Sequence, residues 1–221
     1  MNPLNPVEVR VLGSLLEKDI TTPDYYPMTL KALTGACNQT SNRNPVVSHS
    51  ERDVESALDS LRERKLAFMF QGADSRVPKY GHRFTESLGL TRPEAAVMCV
   101  LLLRGPQTPG EIRGRTGRMH EFASLEEAAA ALEALMARVP EPLAARLPRQ
   151  AGFKEQRYAH LMAGEAPLPA PPEAEPLPVT AAPAARTEDG RLARLEAEAA
   201  AMRAELAELR RQLADLIRLL A

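Results

Sequence analysis

A pattern of three helices followed by two extended segments occurs twice in this chain of 221 residues, and it constrains the fold more than any other feature. Apolar residues at core spacing follow Glu8 in the first copy and Glu94 in the second. A helix cap recurs as well, because Ser50 and Ser124 each precede acidic residues and an amphipathic run. Such a repeat is typical of a duplicated structural unit. We therefore expect two small domains of one fold.

The first copy predicts three helices and a β-hairpin. Thr29 and Ser50 can cap the second and third helices, because their hydroxyl groups accept hydrogen bonds from the free N–H groups of a first helical turn. Pro23 and Pro27 prevent the first helix from continuing. The expected segments are helices at about 8–18, 29–37 and 50–64 and strands at 66–70 and 80–84. Three helices followed by a hairpin make a winged helix.

The second copy, at about residues 91–161, predicts the same unit with a shorter loop. Thr108 and Ser124 begin its second and third helices. We expect its hairpin strands at 143–147 and 155–161. Prolines lie beside the first of these strands, and proline fits poorly within the hydrogen-bond ladder of a sheet. The predicted fold class is mainly α with small β-hairpins, an α+β arrangement of two tandem winged-helix domains.

The composition changes sharply after the second copy. From residue 165 the chain is rich in proline and alanine and poor in bulky apolar side chains, so it buries too little surface to fold. We therefore expect an extended, solvated spacer here. The predicted organisation is a first winged-helix domain at 1–88, a second at 89–164, a disordered Pro/Ala-rich linker at 165–189 and a coiled-coil oligomerisation helix at 190–221.

The final segment carries apolar residues that alternate in steps of three and four, which is the pattern of a coiled-coil seam. The seam residues are Leu192, Leu195, Ala199, Met202, Leu206, Leu209, Leu213, Leu216 and Leu220. Charged residues beside the seam attract each other in a parallel pair of helices and repel each other in an antiparallel pair. Each exposed contact contributes about 0.2–1 kcal/mol. We therefore expect a homo-oligomer and favour a parallel dimer. A weak layer at Ala199 and a wider apolar face at Ile217 and Leu219 leave a trimer or tetramer open.

The balance of charge excludes a global attraction to nucleic acid or anionic lipid. The chain has 28 basic and 29 acidic residues and a net charge of −1. The longest apolar run, at 95–103, is far shorter than the ~20 residues that span a bilayer. The N-terminus also lacks the pattern of a secretion signal. We therefore expect a cytoplasmic protein that makes no membrane contact.

The sequence predicts no catalytic residue, no cofactor and no metal site. Its 4 histidines and 2 cysteines do not have metal-ligand spacing, and it has no phosphate-binding glycine loop. Cys37 and Cys99 stand among apolar residues, which is more typical of core thiols than of nucleophiles. A Cys37–His49 or Cys99–His120 nucleophile pair is the open alternative. We expect a protein that is not an enzyme.

The third helix of each copy is poorly suited to reading DNA bases. The first carries more acidic than basic residues, and the second presents glutamate and alanine with no long polar donor before Arg138. Other cations can contact phosphate without reading sequence. The candidate phosphate or partner contacts are Arg43, Arg76, Lys79, Arg83, Arg113, Arg115 and Arg118. Each of these, taken singly, is more typical of an ordinary solvated charge.

Several ordered strings resemble the YceH family of bacterial proteins. They include Leu16-Glu-Lys18, Tyr26-Pro27, Ala36-Cys-Asn-Gln39, Thr108-Pro-Gly-Glu-Ile-Arg113 and Arg157-Tyr-Ala-His-Leu161. The resemblance covers about residues 5–164 and implies tandem winged-helix domains and a cytoplasmic protein. The family is functionally uncharacterised and offers no catalytic residues to transfer. Phe153 departs from its pattern, where a more polar residue is usual.

Two functional hypotheses follow from these features. The leading one is a non-enzymatic protein that oligomerises through its C-terminus and binds mainly an unidentified protein partner. The alternative is a DNA-associated protein of a regulatory kind, which contacts phosphates through hairpin and loop arginines. Nucleic acid is the less favoured partner, because neither third helix presents suitable side chains.

Overall fold

The computed structural model describes residues 2–72, 77–149 and 155–164. These residues contain seven α-helices and five short β-strands. The helices are α1 Pro6–Thr21, α2 Leu30–Cys37, α3 Glu51–Glu63, α4 Phe84–Leu88, α5 Arg92–Arg104, α6 Pro109–Thr116 and α7 Leu125–Met136. The strands are β1 Met28–Thr29, β2 Ala67–Phe70, β3 Lys79–His82, β4 Ala144–Arg146 and β5 Tyr158–His160. The predicted linker at 165–189 and coiled coil at 190–221, with its whole seam, lie outside the described residues.

Side chains cap the helices where the sequence predicts. The hydroxyl groups of Ser50 and Thr108 accept hydrogen bonds from the N–H groups three residues later, and the acidic side chains at those positions bond back to the caps. Thr29 and Ser124 each accept one such bond. The predicted starts of α2, α3, α6 and α7 are therefore confirmed.

Two boundaries differ from the prediction. The first helix starts behind the cap Asn5 and continues to Thr21 rather than ending near Lys18. Its last turn is closed by the Thr21 hydroxyl, which donates to the Glu17 carbonyl at 2.7 Å. Phe84 begins α4 instead of ending a strand, and its side chain is fully buried. The first difference arises from local hydrogen bonds at the two ends of α1, and the second from the burial of Phe84.

Each copy has a small antiparallel sheet. In the first, the strand order is β1-β3-β2, and Met28 of β1 pairs with Tyr80 of β3. In the second, β4 pairs with β5, and an isolated bridge joins Gln107 to Tyr158. Gln107 immediately precedes the cap of α6, as β1 immediately precedes α2. Both predicted hairpins are confirmed, whereas β1 is not predicted because two residues show no alternation.

The two copies share one hydrophobic core within a single compact unit. At its centre, α5 is apolar on every side, and residues 94–103 are all buried. A helix with this pattern must be covered all round. It packs against α1 of the first copy and against α6 and α7 of the second. In the described part of the chain, no helix is both long and apolar enough to cross a membrane.

Replacing Gly13 of α1 with valine should destabilise the fold by about 1–3 kcal/mol through overpacking. A Cβ atom at residue 13 would lie 2.9 Å from Leu103 Cδ2 and 3.0 Å from Leu102 Cβ, so α1 and α5 would have to separate. Gly35→Ala in α2 is the matched control, because its Cβ would meet no heavy atom within 4 Å. That control should be slightly more stable than the parent. Urea unfolding compares the variants, and a Gly13→Val protein of unchanged stability would contradict the close contact.

Candidate functional site

The predicted contact residues occupy different settings in the fold. Arg43 is buried in the loop after α2. The exposed candidates are Lys79 and Arg83 at the first hairpin and Arg113, Arg115 and Arg118 on or just after α6. Arg76 lies outside the described residues. The structure brings Arg115 and Arg118 together at one pocket.

The guanidinium group of Arg43 is engaged inside the protein. It forms a two-pronged ion pair with Glu17 of α1, in which Nη2 lies 2.7 Å from Oε2 and Nη1 lies 3.1 Å from Oε1. It also donates to the carbonyl oxygens of Ala36 and Asn42. Its side chain has no exposed area. Arg43 therefore ties the loop to α1 and contributes nothing to the exposed surfaces of the molecule.

Glu17 is a charged group held in the interior by its partners. Burial acts to raise the pKa of its carboxyl group, but the hydrogen bonds and charge of Arg43, with a smaller contribution from Lys18, lower that pKa below its ordinary value. The Lys18 ammonium lies 3.2 Å from Oε2. Glu17 is therefore ionised at neutral pH, and its charge is balanced by these two cations.

A pocket opens between α1, α5 and the C-terminal end of α6. Its volume is about 390 Å³, including space open to solvent. Arg115 and Arg118 line it together with Arg104, which lies in the last turn of α5. Residue patterns do not single out Arg104, because a cation at this end of a helix also suits the helix dipole. The other lining residues are Glu17, Thr21, Asn42, Cys99, Val100, Leu103 and Met119.

The third helices α3 and α7 expose faces with little positive charge. On α3 the exposed acidic residues are Glu51, Asp53, Glu55, Asp59 and Glu63, against the exposed bases Arg52 and Arg62. On α7 the exposed residues are Leu125, Glu126, Glu127, Ala130, Glu133 and Ala134. Arg138, just beyond α7, is engaged by Glu94 at 3.1 Å. Neither face offers a row of cations to a phosphate backbone.

The first hairpin exposes large apolar side chains. Met69 and Phe70 of β2 are 42% and 53% exposed, and Val77 beside β3 is 53% exposed. The Arg83 guanidinium group lies over the Phe68 ring, 5.6 Å from its centroid. The strand β2 is at an edge of the sheet. A cluster of exposed apolar side chains is typical of a surface that contacts another macromolecule.

The two thiols are core residues, as the sequence predicts. Cys37 and Cys99 are both buried. Burial raises the pKa of each thiol above its ordinary value. The Cys99 Sγ atom donates to the Gly13 carbonyl oxygen at 3.8 Å, across the contact between α5 and α1. Both groups are therefore protonated at neutral pH and act in packing.

Comparison with known proteins finds close relatives. The family model of a protein of unknown function, DUF480, matches residues 4–153. A UPF0502 protein of Opitutus terrae is 59% identical over 177 residues, which cover 80% of this chain and 77% of that relative. A UPF0502 protein of Geotalea uraniireducens is 54% identical over 195 residues, covering 88% of each chain. A UPF0502 protein of Vibrio atlanticus is 49% identical over 171 residues, covering 76% of this chain and 78% of the relative.

Acidification should weaken the fold through the Glu17 carboxylate. Its pKa is below 4.5 in the folded protein, so the folded state binds fewer protons than the unfolded state. The stabilisation is complete above about pH 4.5 and is lost as the pH falls through the folded pKa. Glu17→Gln should therefore lose stability less steeply below pH 4.5 than the parent, whereas Glu55→Gln on exposed α3 should follow the parent. Urea unfolding between pH 3 and 7 measures the profiles, and identical slopes for Glu17→Gln and the parent would refute the assignment.

Proposed function

We propose a protein-binding role for this chain, which belongs to the DUF480 family of bacterial UPF0502 proteins. This membership confirms the resemblance to the YceH family noted in the sequence, and it assigns no activity. The proposal therefore depends on the surfaces of the molecule. In this proposal the protein is cytoplasmic and non-enzymatic, and it oligomerises through residues 190–221.

The order of elements supports the interpretation of both copies as winged helices. Each has a helix, a short extended segment that pairs with the hairpin, two further helices and the hairpin itself. In this interpretation α3 and α7 occupy the positions from which winged helices commonly reach DNA. We assign the two units to residues 1–88 and 89–164, joined through the contact between α1 and α5.

The observation that carries the proposal is the chemistry of the exposed faces of α3 and α7. Acidic side chains repel phosphate, so neither face suits a nucleic-acid backbone. On α7 the exposed glutamates alternate with Leu125, Ala130 and Ala134. Small and apolar side chains allow close approach of another protein surface, and glutamates beside them select a partner with basic residues.

The first hairpin supplies the apolar contacts that a protein partner needs. Met69 and Phe70 are exposed on β2, and β2 packs against the acidic helix α3. Exposed methionine and aromatic residues are enriched at protein interfaces. The combination suits a partner that has an apolar anchor flanked by lysine or arginine. A parallel coiled coil at 190–221 would present at least two such surfaces and strengthen weak contacts.

The tagged full-length chain should capture a stoichiometric protein partner from a bacterial lysate. Replacing both Met69 and Phe70 with glutamate should abolish capture, because charges at these positions remove the apolar anchor. Val139→Glu is the matched control, since Val139 is 91% exposed and lies outside the hairpin. Removal of residues 190–221 should weaken capture without abolishing it. Mass spectrometry identifies the eluted proteins. If no stoichiometric partner is recovered and the protein binds DNA firmly, the proposal is wrong.

A second candidate function is DNA association through phosphate contacts, of a regulatory kind. The observation that favours it is the exposure of Arg113, Arg115 and Arg118 near the end of α6, with Lys79 and Arg83 exposed at the first hairpin. Arginine and lysine side chains bind phosphate without reading bases. In this candidate function the protein binds duplexes of different sequence with similar affinity.

This alternative predicts binding to a mixed-sequence duplex that weakens steeply with salt. Replacing Arg113, Arg115 and Arg118 with alanine should reduce the slope of log affinity against log salt by about 3, because each phosphate contact contributes about 0.9. Arg62→Ala is the control, because Arg62 pairs with Asp59 on the acidic helix α3. Fluorescence anisotropy across a salt series measures the slope. Binding that is absent at low salt, or insensitive to salt, removes this candidate.

A further inference from the structure

Three arginines from two successive helices and the turn after them meet at the pocket between α1, α5 and α6. Arg104 comes from the last turn of α5, Arg115 from α6 and Arg118 from the turn that follows α6. Arg104 Nη2 donates to the neutral Asn42 side chain at 2.7 Å. Arginine planes of this kind can bind phosphate oxygens in pairs. The fold therefore concentrates guanidinium groups around a concave surface.

The positive charge of this cluster is only partly compensated. Arg115 has an ion pair with Glu111 at 3.7 Å, but Glu111 also pairs with Arg157 at 3.0 Å and accepts from the Thr108 N–H group. Among the described residues, no carboxylate lies within ion-pair distance of Arg118. The cluster thus retains donors and charge that an external anion can satisfy.

The one carboxylate that lines the pocket is already paired with other cations. Glu17 binds Arg43 and Lys18. Burial lowers the pKa of Arg104, and the charges of Arg115 and Arg43 lower it further, whereas the carboxylates of Glu111 and Glu17 act to raise it and leave the net shift downward. An anion in the pocket would relieve this repulsion. The electrostatics of the pocket therefore favour an anionic ligand.

One side of the pocket wall is apolar. Cys99, Val100 and Leu103 of α5 and Met119 after α6 line it. Small-molecule sites commonly combine apolar walls with a few convergent polar groups. We propose that this pocket binds a small phosphate ester, with its phosphate on Arg104, Arg115 and Arg118 and its apolar body against the α5 wall. This role is separate from the proposed protein contacts, and it shares Arg115 and Arg118 with the DNA alternative.

A phosphate group in this pocket can come from a free small molecule or from a nucleic-acid backbone. The apolar wall distinguishes the two sources, because a backbone phosphodiester is flanked by sugars on both sides and carries no free apolar group that can enter the pocket with it. Phenyl phosphate matches the proposed ligand in charge and in its apolar ring. Inorganic phosphate lacks the ring, and a mixed-sequence duplex presents backbone phosphates alone. These three probes separate the contributions of charge and wall.

Isothermal titration of the full chain should show saturable binding of phenyl phosphate, at least tenfold tighter than that of inorganic phosphate. Arg118→Gln and Arg104→Gln should each weaken binding about tenfold, because each removes charge-assisted hydrogen bonds to phosphate. Arg62→Gln is the matched control, since Arg62 pairs with Asp59 on α3 and does not line the pocket. The control should bind phenyl phosphate within twofold of the parent.

Thermal unfolding midpoints establish that each variant is folded. Because Arg118 is exposed, its replacement should leave the fold intact, so the test stays valid even if Arg104→Gln does not fold. Equal binding of phenyl phosphate by the parent and Arg118→Gln would overturn the proposal. Equal affinity for phenyl phosphate and inorganic phosphate would overturn it as well. Binding of the duplex alone, with no saturable binding of phenyl phosphate, would assign the arginines to a nucleic-acid backbone instead.

Discussion

The contact between α1 and α5 is the interaction on which the rest of the structure depends. Gly13 has no side chain, so α1 can approach Leu102 and Leu103 more closely than an ordinary helix pair permits. A helix that is apolar on every side, as α5 is, must be covered by both copies. The shared core follows from this requirement. Each copy therefore supplies part of the other's interior.

The same contact also creates the concave surface of the molecule. The loop after α2 is drawn into the junction, because Arg43 binds Glu17 and the Asn44 N–H group donates to the Leu103 carbonyl oxygen at 2.9 Å. Asn42 then meets Arg104 at the end of α5. A buried ion pair contributes little net stability but strongly penalises arrangements that separate its partners. Such a pair suits a loop whose position decides the shape of a pocket.

The two copies share a scaffold and differ in their surfaces. Their helix caps, helix order and hairpins correspond, because these features depend on local hydrogen bonds and core spacing. The exposed residues of α3 are charged and mainly acidic, whereas α7 presents alanine, leucine and glutamate. The described apolar hairpin surface, with Met69 and Phe70, belongs to the first copy. This difference between the two surfaces favours contact with a protein partner over two equivalent contacts with DNA.

Local chemistry alone identified most of the fold. Caps at Ser50 and Thr108, apolar periodicity and proline positions act within a few residues, so they predict helices and hairpins directly. Local patterns did not predict three features of the structure. These are the short strand β1, the burial of Arg43 and the position of Arg104 beside the cations of α6. The strand β1 forms by pairing with β3, and Arg43 is buried by its contacts with Glu17 and Ala36. A lone arginine has the same local pattern whether it is solvated or paired. Tertiary packing decided between those outcomes, because only packing determines which strands pair and which charges lose their water.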